Sequence, residues 1–248
     1  MELIEKIKHL LEYYQSMTGE EIYIDRTMIK NYEDQFLDLI HQLKQFDYLP
    51  ENATPLDLYR LRIEKCTRCR LSKERNKFVF GEGNPSADIM FIGEAPGRDE
   101  DIQGIPFVGK AGQLLDKILS AIQLNREEVY IANIVKCRPP QNRTPSTDEI
   151  DTCFPYIEEQ IKMIQPKIIC LLGAVAARRI LNQNASISSL RGRIHQYGQI
   201  ETIVTYHPAA LLRNEQLKRP TWDDMKILRK LYDEKYLNKP FILEKKNG

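Results

Sequence analysis

The sequence predicts an α/β fold built on a largely parallel sheet, and three observations support it. Four short apolar runs, 87–92, 129–135, 167–172 and 200–205, have the length and residue types of buried strands. Amphipathic helical patterns lie before, between and after them, at 57–64, 111–123, 147–164, 174–182 and 220–235. A chain of 248 residues can also bury one good core of about 150–200 residues with some chain left over. Strands alternating with helices place helices on both faces of a parallel sheet, joined by right-handed crossovers.

The leading segment departs from this pattern. Residues 1–17 put Leu3, Ile4, Ile7, Leu10, Leu11 and Tyr14 on one helical face, and residues 28–46 repeat the device with Met28, Ile29, Tyr32, Phe36, Leu39, Ile40, Leu43 and Phe46. A helical hairpin over 1–54 follows, ahead of a main domain over 55–248. The hairpin holds five Lys/Arg against eleven Asp/Glu. It is therefore acidic, and the rest of a chain of net charge +1 is moderately basic. Such a body suits a polyanionic partner without demanding one. The hairpin packs on the main domain or on itself, or docks a protein partner that the sequence does not name.

No apolar run reaches the roughly 18–20 residues of a membrane span. The N-terminal Met1-Glu2-Leu3-Ile4-Glu5-Lys6 lacks the apolar core of a secretory signal. The expectation is a cytoplasmic monomer with no membrane partner, in which thiols stay reduced and serve metals more often than disulfides.

Residues Gly93 to Gly112 form the stretch with most chemistry. They follow the first apolar run and precede a helical pattern at Leu114, Leu115, Ile118, Leu119 and Ile122. Five glycines, two prolines and four acidic residues lie in between. In open α/β sheets ligands settle beyond the carboxyl ends of strands, where this loop sits. A loop of about twenty residues is long enough to imply function.

Five cysteines occur. Cys66-Thr-Arg-Cys69 has the two-residue spacing that lets both sulfurs reach one metal centre. Cys137 follows the second strand and Cys153 lies in the next helix. Four thiolates from distant segments suit a tetrahedral zinc or a four-iron cluster, and spacing does not separate them. Cys170, inside Ile168-Ile169-Cys170-Leu171-Leu172, reads as a small core residue.

Taken together, several segments give a close match. They are Cys66-x-x-Cys69, Gly93-Glu94-Ala95-Pro96-Gly97, Gly104-Ile105-Pro106-Phe107-Val108-Gly109, Asn133-Ile134-Val135-Lys136-Cys137-Arg138-Pro139-Pro140, Cys153, and His207-Pro208-Ala209-Ala210-Leu211-Leu212-Arg213. In this order and spacing, across about residues 57–235, the chain resembles the family 4 uracil-DNA glycosylases, the bacterial and archaeal iron–sulfur branch of their superfamily. The resemblance implies a three-layer α/β/α fold around a four-stranded, mainly parallel sheet. It also implies a structural [4Fe–4S] cluster on Cys66, Cys69, Cys137 and Cys153. The activity implied is hydrolysis of the uracil–deoxyribose bond in DNA, leaving an abasic site for base excision repair.

The same resemblance suggests roles. Flipping a base costs a few kcal/mol, and stacking on Phe107 would return about 1–3 kcal/mol. The Asn133 amide offers an acceptor and a donor that match N3–H and O4 of uracil and mismatch cytosine. His207 would donate to O2 of the departing base. Glu94 would orient water or stabilise the cationic sugar, with Asp99, Glu100 and Asp101 close enough to share the task. Backbone N–H groups of Gly93, Ala95 and Gly97 could add donors. Leu212 and Arg213 resemble a wedge that fills the gap left by the base, and Arg191, Arg193, Lys218 and Arg219 are candidate phosphate contacts. Val108-Gly109-Lys110-Ala111-Gly112 runs straight into a helix, without the histidine insertion by which a relative traps its substrate covalently. The rival reading is a non-catalytic iron–sulfur or zinc module that binds DNA or a replication partner; the pocket residues argue against it.

Overall fold

The chain divides into two compact units, Met1–Tyr59 and Arg60–Gly248. The computed structural model describes residues 54–241, so the expected acidic hairpin lies outside the described residues except for Thr54. The first described helix, α1 (Pro55–Ile63), starts on Thr54, whose hydroxyl and amide both bond Asp57.

The four apolar runs form the expected parallel core. β2 (Ile89–Gly93), β3 (Tyr130–Asn133), β4 (Ile168–Leu172) and β6 (Ile200–Thr205) are joined in the order β3-β2-β4-β6. Two short antiparallel edge strands extend the expected four to six: β1 (Glu82–Gly83) beside β3 and β5 (Ile194–Tyr197) beside β6. Both residues of β1 are exposed and β5 is exposed or half-buried throughout. Neither carries the apolar run that marks the inner strands.

Helices cover both faces. On one, Ile89, Phe91, Ile131, Ile168, Cys170, Leu172 and Ile203 pack with Leu115 and Leu119 of α3 (Lys110–Ala121), with Ile122 at its C-terminal cap, and with Met225 and Leu228 of α8 (Lys218–Leu231). Cys170 is thus a core residue, as its apolar neighbours suggest. On the other face, Gln160 of α4 (Thr147–Ile164) reaches the hydroxyl of Tyr130, which shares a face with Met90. Burial on both faces explains why these strands read as continuous apolar runs. Each fully buried large side chain contributes on the order of 1.5–3 kcal/mol.

Three smaller helices follow the strands: α5 (Ala174–Leu181) and α6 (Ile187–Leu190) after β4, and α7 (Pro208–Arg213) after β6. The loop expected over Gly93–Gly112 contains a further helix, α2 (Arg98–Gln103). Its first turn carries Asp99, Glu100 and Asp101, which favour the positive end of a helix dipole. Glu100 also accepts the Gly97 N–H at 3.1 Å.

Register decides what faces the ligand side. In the parallel pair β2–β3, Gly93 stands opposite Asn133, and in β4–β6, Leu172 stands opposite Thr205. The chain leaves β2 toward β3 and leaves β4 toward β6, so the strand order reverses between β2 and β4. That reversal opens a crevice at their carboxyl ends.

Candidate active site

At the crevice, Gly93 is hemmed in. A Cβ placed there would meet Phe107 Cζ at 2.6 Å and would contact Asn133 Oδ1. Only a glycine lets these two side chains meet over the strand end. Asn133 is 2% exposed, and its Oδ1 is buried without a hydrogen-bond partner. An orphaned buried carbonyl costs about 1–3 kcal/mol, so this acceptor is kept at a cost that a donor ligand would recover.

Phe107 lies beside it, 4% exposed, its ring 5.4 Å from the His207 ring with a 30° tilt. Its backbone is left-handed, with φ 55°, a conformation that costs a bulky residue about 1–2 kcal/mol. The surroundings enforce it. Arg126 donates to the carbonyls of Pro106 at 2.7 Å and Phe107 at 3.0 Å. Glu100 accepts from the amides of Val108 at 3.0 Å and Gly109 at 2.9 Å. Gly112 lies against the Phe107 carbonyl where any Cβ would collide.

His207 caps α7. Its Nδ1 accepts the Ala209 N–H at 3.1 Å. In neutral imidazole the proton must then sit on Nε2, leaving that nitrogen as a donor. Burial first, and the Arg213 charge second, pull its pKa down to about 4. The ring is therefore a neutral donor at physiological pH. Its Cβ stands 3.0 Å from the place a Gly173 Cβ would take, so β4 and β6 both border the pocket.

Glu94 continues β2 into the rim, half-buried, with its carbonyl accepting Val135 N at 3.0 Å. Burial raises its carboxyl above the ordinary value, opposed by a hydrogen bond from Thr144. Two of its three acidic neighbours are committed elsewhere: Glu100 holds the amides of Gly97, Val108 and Gly109, and Asp101 holds the amide and side chain of Asn76 at 2.9 and 2.6 Å. Gly97 donates its N–H to Glu100 and starts α2 rather than offering that group outward. Ala95 stands half-buried between Glu94 and this helix.

Around the mouth, Leu212 is 50% exposed at the end of α7, next to Arg213. Two other cations expected to meet DNA have intramolecular partners. Arg191 bonds Asp224 at 2.9–3.0 Å and the Pro220 carbonyl, and Lys218 bonds Glu215 at 2.6 Å. Asp224 also accepts from Thr205 and Gly192, so it ties α8 to the end of β6 and to Arg191 after α6.

The cysteines gather on the segments flanking β3. Tyr156 donates its hydroxyl to Cys66 Sγ at 3.0 Å, Arg75 donates to Cys137 Sγ at 3.3 Å, and Lys136 N–H donates to Cys153 Sγ at 3.3 Å. The Cys137 thiol feels Cys69 and Cys66, and the Cys153 thiol feels Cys137 and Cys69. Burial pushes the Cys153 thiol up to about 12, so the site favours thiolate only when cations take the sulfurs. Among the described residues, no three His, Cys, Asp or Glu side chains close round a single ion. Nearby, the buried Glu149 accepts from Arg70 at 2.7 Å and from Arg143 at 2.7 and 2.8 Å. Arg143 holds that carboxyl far below the usual carboxylate range.

Sequence reasoning missed Arg126, the pinning role of Glu100 and the Arg70–Glu149–Arg143 cluster. Arg126 sits in Leu124-Asn125-Arg126-Glu127-Glu128, which reads as an ordinary charged turn. The capping pattern Ser146-x-x-Glu149 was the one local signal for the cluster.

Comparison with known proteins places this geometry. A family model of the uracil DNA glycosylase superfamily matches residues 80–229. A type-4 uracil-DNA glycosylase of Sulfurisphaera tokodaii is 46% identical over 178 residues, covering 68% of this chain and 81% of its own. The Archaeoglobus fulgidus protein of the same name is 42% identical over 181 residues, 70% of this chain and 91% of its own. One from Thermotoga maritima is 44% identical over 168 residues, 66% of this chain and 88% of its own. These matches and the pocket at the switch of strand order agree: the chain belongs to the uracil-DNA glycosylase superfamily, on its type-4 branch.

Proposed function

We propose that the chain removes uracil from DNA by hydrolysing the bond between the base and deoxyribose, and leaves an abasic site. The orphaned Asn133 Oδ1 is the observation that carries this reading. Pointing at Gly93 and Phe107, it is an acceptor with no protein donor, and N3–H of uracil supplies one. The Asn133 amide N–H then meets O4. Cytosine presents an acceptor and a donor in the reverse order, leaving the carbonyl unpaired.

The rest of the pocket fits the charges that develop. Phe107 stacks the base. The Nε2–H of His207 meets O2, where negative charge gathers as the base departs. Glu94, as a carboxylate, faces the sugar, which becomes oxocarbenium-like, or orients the attacking water. No lysine is positioned as a nucleophile by these motifs, so the expected product is an intact strand with an abasic site. Leu212 and Arg213 fill the stack behind the flipped base.

The four cysteines fit a [4Fe–4S] cluster, supported by the donor set and by N–H and O–H groups aimed at three sulfurs. When bound, the cluster would cross-link the segments around β3 and supply no chemistry to the base. Uracil-containing DNA is the substrate, and a protein partner for residues 1–54 belongs to the same proposal.

The test is an oligonucleotide with one uracil, incubated with iron-replete protein and then heated in alkali. Cleavage at the uracil alone supports the reading, and an uncut strand overturns it. Broad visible absorbance with about four irons per chain supports the cluster; a colourless, zinc-replete protein of equal activity contradicts it.

A further inference from the structure

We propose that Arg126 is a positioning residue for the base pocket: through two backbone carbonyls it holds the turn that sets the Phe107 ring under the base. The inference rests on the pocket reading above and deepens it. Three observations support it.

First, the Phe107 backbone is left-handed at φ 55°, a state a phenylalanine abandons unless something holds it. Second, one guanidinium bonds the two carbonyls that flank Phe107 N and C, those of Pro106 at 2.7 Å and Phe107 at 3.0 Å. An extended backbone turns successive carbonyls to opposite sides, so one fork that reaches both ties Phe107 to a bent backbone. Third, the fork is itself aimed. Asp116 of α3 accepts from Nη1 at 3.0 Å and Glu82 of β1 accepts from Nη2 at 3.1 Å. The two-residue edge strand thus has a use: it brings Glu82 to the back of the loop whose front is the pocket. Among the described residues Arg126 bonds the Pro106 and Phe107 carbonyls, Asp116 and Glu82 rather than Asn133 or His207, so its effect on the pocket passes through Phe107.

Arg126→Met removes the donors and keeps most of the bulk. It frees the Pro106 and Phe107 carbonyls to turn away, and the two acids it leaves, Asp116 and Glu82, have side chains 45% and 46% exposed that stay solvated. Three readouts separate positioning from loss of fold. Inhibition by free uracil should weaken about 5- to 100-fold, the range expected for one degraded stacking contact. Binding to DNA that carries an abasic site, which leaves the base pocket empty, should change less than about twofold. Arg126→Lys, able to reach one carbonyl but not both, should fall between. In a double-mutant cycle, Phe107→Ala/Arg126→Met should be no worse for uracil than Phe107→Ala alone.

A fourth readout does not need uracil. The His207 ring, 5.4 Å from that of Phe107, is close enough to carry its ring-current shift; in Arg126→Met its protons should move toward their positions in Phe107→Ala. If the pocket reading failed, free uracil would not inhibit even the wild type, yet this shift would still respond to Arg126→Met. The proposal is overturned if the His207 protons stay in place in both Arg126 variants. It is equally overturned if uracil and abasic DNA weaken together, or if the Arg126→Met factor adds in full to that of Phe107→Ala.

Discussion

His207 and Glu94 carry opposite burdens, and pH should separate them. The folded chain keeps His207 neutral down to about pH 4, whereas an unfolded histidine takes a proton near its ordinary value of roughly 6.5. The stability this contributes is fully present above about 6.5 and is lost as pH falls through about 4. His207→Gln should flatten that part of the stability profile measured by urea titration. The catalytic profile has a different origin. On the proposed mechanism Glu94 acts as a carboxylate, and burial raises its pKa, so kcat/KM should fall on the acid side through a value above the roughly 4.3 of a free glutamate. Glu94→Gln should remove that limb and lower kcat by about 10²–10⁴-fold. An acid limb that persists in Glu94→Gln and follows a His207 titration near 6.5 would contradict the neutral-donor assignment. Both side chains were legible in the sequence through their motifs. The tautomer was not, because it depends on the Ala209 amide that α7 turns back onto Nδ1.

At the scale of elements, the inner strands announced themselves because burial on both faces makes each a continuous apolar run. The edge strands β1 and β5 were silent for the converse reason: their side chains are exposed or only half-buried. Helix α2 had a readable signature, an acidic first turn followed by Gly104 at a left-handed stop. The glycine- and proline-rich surroundings hid it and suggested one long loop. Arg191 shows the limit of reading charge from sequence. It was a candidate for phosphate and is instead joined to Asp224, a partner 33 residues away in the chain. The loop and α3 meet at Gly112, which gives a sharp prediction. Gly112→Ala places a methyl into the Phe107 carbonyl. It should cost about 1–3 kcal/mol of stability by overpacking and weaken inhibition by free uracil. Chemical denaturation and an inhibition titration would check both, and an unchanged Gly112→Ala protein would mean the loop yields more easily than its contacts imply.

Across the molecule, the pocket draws on all four inner strands: Gly93 and Glu94 after β2, Asn133 at the end of β3, Gly173 after β4 and His207 after β6. The cysteines draw on the segments before β1, after β3 and within α4, so holding them together pins the chain on both sides of β3. Cys137→Ser should therefore give a paler protein with a lower melting temperature, a loss on the order of several kcal/mol if the metal contributes folding energy. Wild-type melting with full loss of visible colour would argue that the cluster carries no structural load. The central claim concerns Asn133, whose buried acceptor has no protein donor and, on the proposed reading, is satisfied by a base with a matching one. Single-turnover excision from strands differing only in uracil or cytosine, with wild type and Asn133→Asp, tests it most directly. A buried aspartate favours its neutral form and presents a donor and an acceptor suited to cytosine. The wild type should release uracil and leave cytosine; Asn133→Asp should lose at least about tenfold on uracil, as for a mismatched buried hydrogen bond, and gain measurable release of cytosine. Equal uracil rates for the two proteins, with cytosine untouched by both, would show that the amide does not read the base.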